Sequence, residues 1–391
     1  MKITKVETHL VSAPLAHSWE TGIGSAKQRD ELLVFVYTDE GITGIGSSYH
    51  AHAGLAMKAV VDTKVAPAVI GLSPLDIGAI WERLFYGTVY IGSAGVQGLA
   101  GIDIALWDIL GKVSKQPVAT LLGGGGVEHV MAYVGCMSLG FKAHDKLVEE
   151  AQGYVSQGYK ALKIRGGAGV KQDVAAMRAV RKALGDDIDL MIDVNARYSW
   201  PEAVDLAKRL QEFDTYWLED PFDFSIPNHH DDVGKLREMH LTPIASGGNV
   251  YSRFDYRNLV ARGGVDYLTP DVVKSGGFSE SLKMAHIASA YDCIIAPHTL
   301  NGLGQVANLH FAAAVPGHIR GYVEWDPTSP NPLRDELMTN PVKVKDGKLY
   351  VPTGPGLGTD INMDVLKRLQ PSGTHEIAMQ ARVRRWNATA A

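Results

Sequence analysis

Cysteine is nearly absent: the chain of 391 residues has two, Cys136 and Cys293. They form neither a CxxC pair nor a zinc-type cluster, so a disulfide framework is excluded and a reduced, cytoplasmic setting is expected. Long apolar runs are missing too; none approaches the about 18 residues that a membrane-spanning helix requires. The opening MKITKVETHL alternates polar and apolar residues like a strand and lacks the apolar core of a signal peptide. Excess positive charge is also lacking. Lys and Arg number 38 against 43 Asp and Glu, a formal charge of −5, which disfavours nucleic-acid and anionic-membrane partners. What is present is apolar content of 46%, enough for a large core and incompatible with disorder. Glycine is abundant as well, and many of the 42 directly follow short apolar runs, where they mark tight turns.

The first 125 residues read as α+β, with strands at 2–10 and 31–38 and helical patterns at 54–70, 75–86 and 95–113. The run Gly123-Gly124-Gly125-Gly126 then marks a domain boundary. Beyond it, short β-favouring runs alternate with helical stretches and begin near 131, 159, 189, 216, 243, 265, 293 and 321. One βα unit per about 25–30 residues, repeated eight times, predicts a closed barrel over 126–345. An open doubly wound sheet also alternates strand and helix, but it rarely needs eight consecutive units, and no GxGxxG follows a first strand. The segment 346–391 returns to strand-and-turn character and is expected to pack back on the amino-terminal domain.

Barrels of this kind carry their chemistry at the carboxyl ends of the strands. Those ends supply Lys163 and Arg165, Asp193 and Asn195, Glu219 and Asp220, Gly247-Gly248-Asn249, Asp271, His298 and Glu324. Asp193 and Glu219, on neighbouring strands, offer hard oxygen ligands suited to Mg²⁺. Beside the cationic pair Lys163 and Arg165, they suggest a metal and cations converging on an anionic substrate; the plain alternative is a salt-bridge layer. Asp271 and His298 end adjacent strands, so the carboxylate can orient the imidazole as a base. Glu324 can exchange a proton with a substrate oxygen if burial raises its pKa.

These residues, in this order, resemble the enolase superfamily and within it the mandelate racemase subgroup, with the texture of its acid-sugar dehydratases. The matching features are GIDIALWDILGK, Lys163-x-Arg165, Asp193-x-Asn195, WLEDP around Glu219, PDVVKSGG with Asp271 and Lys274, the PH of His298, the VEW of Glu324 and the closing GPGLG. The resemblance implies an α+β cap over a modified (β/α)7β TIM barrel and abstraction of the proton α to a carboxylate, giving an enolate on Mg²⁺. It implies Asp193 and Glu219 as metal ligands and His298 with Asp271 as the base. Lys163 and Glu324 would hold the substrate carboxylate, and Lys274 would be a structural lysine.

Two positions depart from that family pattern. Arg165 stands where a second lysine base is usual, and a guanidinium with a pKa above about 12 is a poor base though a good clamp, which disfavours racemisation. Gly248 stands where a third metal-ligating Glu is usual and has nothing to coordinate with. Specificity is expected from a polar loop at 15–30 and from SSYHAH at 47–52, with His17, Trp19, Arg29, Tyr49, His50 and His52 as candidate substrate contacts, Asn195 completing the set. The pair His229-His230 reads as solvated. The leading expectation is a Mg²⁺-dependent lyase dehydrating a sugar acid to a 2-keto-3-deoxy acid. Alternatives are an epimerase, racemase or lactone cycloisomerase on the same enolate, or a catalytically degenerate acid-sugar binder. A homo-oligomer is the expected assembly.

Overall fold

The computed structural model describes residues 1–371 except 23, 51, 224–228, 263 and 301. Three antiparallel strands, β1 (Ile3–Thr21), β2 (Gly24–Thr38) and β3 (Thr43–Ser48), pack on helices α1 (Gly54–Val60), α2 (Ile77–Gly87) and α3 (Ser93–Ser114), followed by the short α4 (Val118–Leu121). Leu32, Val34 and Val36 of β2 and Leu99, Ile102, Leu106 and Ile109 of α3 share one buried cluster. That pairing follows from period-two alternation meeting a three-and-four helical stripe. Within the stretch 15–30, expected as a loop, residues 15–21 and 24–30 instead belong to strands. β1 and β2 continue as a long hairpin, with a register shift between Pro14 and Trp19. The arm is polar in sequence because its backbone is satisfied by pairing rather than ordered by an apolar face. It leans over the barrel: Glu20 O accepts the Phe141 N–H at 2.8 Å.

The barrel strands are β4 (His129–Val134), β5 (Ala161–Arg165), β6 (Asp189–Asp193), β7 (Trp217–Glu219), β8 (Ile244–Ser246), β9 (Tyr267–Leu268), β10 (Ile294–Ile295) and β11 (Val323–Trp325). They pair in parallel in chain order, and β11 pairs back on β4 while Gly321 N donates to Ile295 O, which closes the barrel. Helices α5 (His144–Ser156), α6 (Val170–Leu184), α7 (Trp200–Leu210), α8 (His229–Glu238), α9 (Arg253–Ala261), α10 (Phe278–Ser289) and α11 (Gly302–Ala314) connect successive strands, giving the (β/α)7β arrangement. Tyr133, Ala161, Met191, Trp217, Ala245 and Ala296 fill the bore beneath the mouth. A β12–β13 hairpin (Val344–Lys345, Lys348–Tyr350) pairs with the opening of β4. After α12 (Pro332–Asp335), and just past α13 (Met363–Arg368), Leu369 O accepts the Ser12 N–H at 2.8 Å. Residues 372–391 of the carboxyl-terminal segment lie outside the described residues.

Two carboxylates fasten the cap to the barrel at helix starts. Asp103 of α3 accepts the Ser279 N–H of α10 at 3.0 Å, and Glu31 of β2 accepts the Gly304 N–H of α11 at 3.0 Å. Helix amino-terminal N–H groups have no partner within their own helix, and the carboxylate charge suits that end of the helix dipole. Burial nonetheless pushes both carboxyls up to about 7. Each approach requires a glycine with positive φ: a Cβ on Gly277 (φ 84°) would lie 2.3 Å from Asp103 Oδ2, and one on Gly302 (φ 54°) 1.9 Å from Glu31 Oε2. Gly277→Ala and Gly302→Ala should therefore each cost about 2–4 kcal/mol, combining backbone strain with a displaced buried carboxylate. Gly78→Ala, in open space on α2, should stabilise by about 0.5–1 kcal/mol. Urea titration checks both; equal midpoints for all three variants would refute the packing argument.

Candidate active site

Register builds the mouth row by row. Arg165 aligns with Asp193, and Asp193 with Glu219, so one level across β5, β6 and β7 carries a cation and two carboxylates. Lys163 lies two residues earlier on β5 and therefore faces the same bore one layer deeper. Its ammonium is fully buried, 2.9 Å from Glu219 Oε2, 3.0 Å from Glu324 Oε1 and 3.7 Å from Asp193 Oδ2. The Tyr133 hydroxyl, 3.2 Å away, is a further partner. Arg165 donates to Asp193 Oδ2, to Glu324 Oε1 at 3.1 Å and to the Cys136 carbonyl at 2.9 Å. Asn195 turns back on Asp193, its backbone and side-chain N–H groups donating at 2.8 and 3.2 Å.

Glu324 departs from expectation. Burial alone raises its pKa, but Lys163, His298 and Arg165 outweigh it and hold the carboxyl below the usual carboxylate range. Its oxygens also accept the Cys136 and Thr299 N–H groups at 2.6 and 3.1 Å. Glu324 is thus an ionised acceptor in this arrangement rather than a proton donor. Burial, reinforced by neighbouring acids, has the opposite outcome at Glu219 and Asp220, whose carboxyls are pushed up despite Lys163.

His298 Nδ1 meets Asp271 Oδ2 at 2.8 Å. A carboxylate can only accept there, so Nδ1 carries the proton and Nε2 keeps its lone pair, 3.8 Å from Glu324 Oε2. Burial, then Lys274, lowers the His298 pKa against the opposing pull of Glu324 and Asp271. Lys274 donates to Asn249 Oδ1 at 3.1 Å and lies 4.6 Å from the Tyr49 ring. Gly247, at φ 126°, rotates the end of β8 so that Gly248 faces the imidazole: a Cβ there would stand 3.5 Å from the His298 ring. Asn249 instead turns to Asp220, its Nδ2 donating to Asp220 Oδ2 at 3.3 Å.

Of the cap candidates, Trp19 reaches the mouth. Its ring centre is 5.2 Å from the Arg165 guanidinium carbon, and its indole N–H donates to Ser138 O at 3.3 Å. Arg29 is instead committed to a buried ion pair with Asp326 at 3.0 Å and to the Thr328 hydroxyl. His50 is buried, its Nδ1 accepting the His52 N–H at 3.1 Å, and its ring packs 5.1 Å from Tyr49. His229 is buried rather than solvated, with its pKa pushed down to about 4 by burial. Tyr133, Asp326 and Asn308 join the site network without having been singled out. Asn308 carried a legible signal, as a polar residue inside the apolar helix GLGQVANLHFAAA.

The donor types suit a hard divalent cation, since Asp193 and Glu219 are buried, level and on adjacent strands. The set has two carboxylates rather than three, and among the described residues no group of three His, Cys, Asp or Glu side chains is arranged as a metal cage.

Residues 3–123 match the family described as mandelate racemase / muconate lactonizing enzyme, N-terminal domain, and residues 146–365 match enolase C-terminal domain-like. The chain is 34% identical to the D-galactarolactone cycloisomerase of Agrobacterium fabrum, over 94% of this chain and 98% of the relative. It is 29% identical to the arabinonate dehydratase of Saccharolobus solfataricus, over 85% and 88%. The crystal structure of L-talarate dehydratase from Polaromonas sp. JS666, complexed with Mg and L-glucarate, superposes with a TM-score of 0.80 at 28% identity, covering 95% of this chain and 97% of that one. Among the described residues no helix is long and apolar enough to cross a membrane.

Removing the Lys274 charge by Lys274→Met should move the His298 titration midpoint upward, because an adjacent cation disfavours the imidazolium. Imidazole NMR across pH 4–9 reads it, with His298→Asn identifying the resonance. An unmoved midpoint would show that Lys274 does not act on His298.

Proposed function

This chain belongs to the mandelate racemase / muconate lactonizing enzyme family of the enolase superfamily, and on that premise we propose that it abstracts the proton α to the carboxylate of a sugar acid and expels the β-hydroxyl, yielding a 2-keto-3-deoxy acid. The observation that carries this reading is that, of the two positions facing each other across the mouth, only His298 offers a competent base. His298 presents a free Nε2 lone pair on one side, oriented by Asp271. Arg165, pinned between Asp193 and Glu324, occupies the position of a second base. Its guanidinium stays protonated and so cannot return a proton to the opposite face.

In the proposed sequence Nε2 of His298 takes the α-proton, and the resulting imidazolium is stabilised through Nδ1–H by Asp271. The same imidazolium then returns its proton to the departing hydroxyl, restoring neutral His298 as water leaves. Lys163 and Arg165 place fixed positive charge where the carboxylate gains enolate character, in a dry site where such charge acts strongly. Asp193 and Glu219 would hold Mg²⁺, which supplies Lewis-acid stabilisation of that developing charge. Trp19 supplies a wall over Arg165 that excludes water.

A cycloisomerase reading has its own support in the 34% identity to D-galactarolactone cycloisomerase. The single base serves that chemistry equally, since only the leaving group changes. Incubating the enzyme and Mg²⁺ in D₂O with a panel of sugar acids and their lactones separates the two: a dehydratase forms a keto acid lighter by one water, whereas an isomerase keeps every oxygen. Absence of both products and of deuterium exchange across the panel would sink the proposal. His298→Asn should reduce α-proton exchange by about 10²–10⁴-fold with the fold intact by circular dichroism; retained exchange would remove His298 from its role. Gly248→Glu, which has room for its Cβ, should tighten Mg²⁺ binding by about tenfold or more by calorimetry. Unchanged affinity would mean that the site at Asp193 and Glu219 is not short of a ligand.

A further inference from the structure

We infer that Asn308, on α11 behind the barrel wall, is a positioning residue for the base: its side-chain amide holds the Asp271 carboxylate in the one orientation that aims His298 into the mouth. The inference rests on the proposed role of His298 and adds a member that touches no substrate.

Asn308 is fully buried. Its Oδ1 accepts the Val272 N–H at 3.0 Å, and its Nδ2 donates to Asp271 Oδ1 at 2.8 Å and to Gly304 O at 3.1 Å. An amide has two N–H donors, and both are used. The opposite flip would set an NH₂ against the Val272 N–H and an oxygen against both the carboxylate and the Gly304 carbonyl, so the neighbours leave a single orientation. Asp271 Oδ1 also accepts the Val273 N–H at 3.1 Å. One carboxylate oxygen is therefore held by two N–H groups, and Oδ2 is left for His298 Nδ1. Without the amide, the carboxylate can rotate about its χ2 bond, which is intrinsically soft for Asp, and the imidazole loses the bond that sets its tautomer.

The charged groups facing His298 are Asp271 from the end of β9, Glu324 from β11 and Lys274 from the turn before α10. Asn308 contacts only the first. Two substitutions test the assignment. Asn308→Leu removes the donor at similar size, and Asn308→Ala removes it and leaves space beside Asp271. In both, the Nδ1–H tautomer of His298 should lose its dominance, and the imidazole should titrate at lower pH than in the wild type, because the Asp271 bond that favours the imidazolium is loosened. Histidine ¹⁵N NMR of the full chain reads both properties without any substrate, with His298→Asn identifying the resonance. On a sugar acid that the wild type turns over, kcat for Asn308→Leu should fall about ten- to a hundredfold with KM within about twofold. His298 tautomer and midpoint identical to wild type in both variants would overturn the inference, even if activity fell. If Asn308→Leu does not fold, Asn308→Ala decides alone through the tautomer and the midpoint. Failure of the wild type to process any sugar acid would count against the proposed function, and the NMR comparison would still judge Asn308.

Discussion

Lys163 is the hub on which the mouth depends. A fully buried ammonium within 3.0 Å of two carboxylates and 3.7 Å of a third ties together β5, β6, β7 and β11. Burying these charges costs more than their attraction returns unless every lone pair is satisfied, so such a cluster is a poor stabilising device. Its arrangement makes sense as a preorganised field: positive charge fixed at the centre, carboxylates around it, and little reorganisation left for the moment of reaction. Glu324 and Glu219 illustrate the consequence. Both are buried, yet one is held ionised by two cations, while the other is pushed up by its burial together with its acidic neighbours.

The cap shares in that field through structure as well as through contacts. Asp103 and Glu31 seat α3 and β2 on the starts of α10 and α11, the two helices that follow the strands ending near Asp271 and His298. The helix that the cap grips through Glu31 is also the one that carries Asn308. One chain of hydrogen bonds thus runs from the cap through α11 to Asp271 and His298. The β1–β2 arm completes the arrangement by laying Trp19 over Arg165.

Much of this was legible beforehand because barrels repeat. Every expected strand run contains or adjoins an observed one, and the rim residues Lys163, Arg165, Asp193, Glu219, Asp271, His298 and Glu324 fall where strand ends place them. What went unread has a common cause. The 15–30 arm looked like a loop because its pairing, not an apolar face, orders it. Arg29 looked like a free cation because its partner Asp326 is 297 positions away. Glu324 reads in sequence as able to donate or accept a proton, because burial is visible in the pattern and its two cations are not.

The sequence by itself determined the eight-fold β/α rhythm, the identity of the residues at the mouth and the missing side chain at Gly248, since periodicity and residue type are local properties. Only the tertiary structure decided which charges neutralise one another, that Gly247 turns Gly248 toward the imidazole, and that the Asn308 amide on α11 hydrogen-bonds the carboxylate that meets His298. Those facts depend on barrel closure and on the seating of the cap. Both bring residues hundreds of positions apart to hydrogen-bond distance, and no local pattern records which of them will meet.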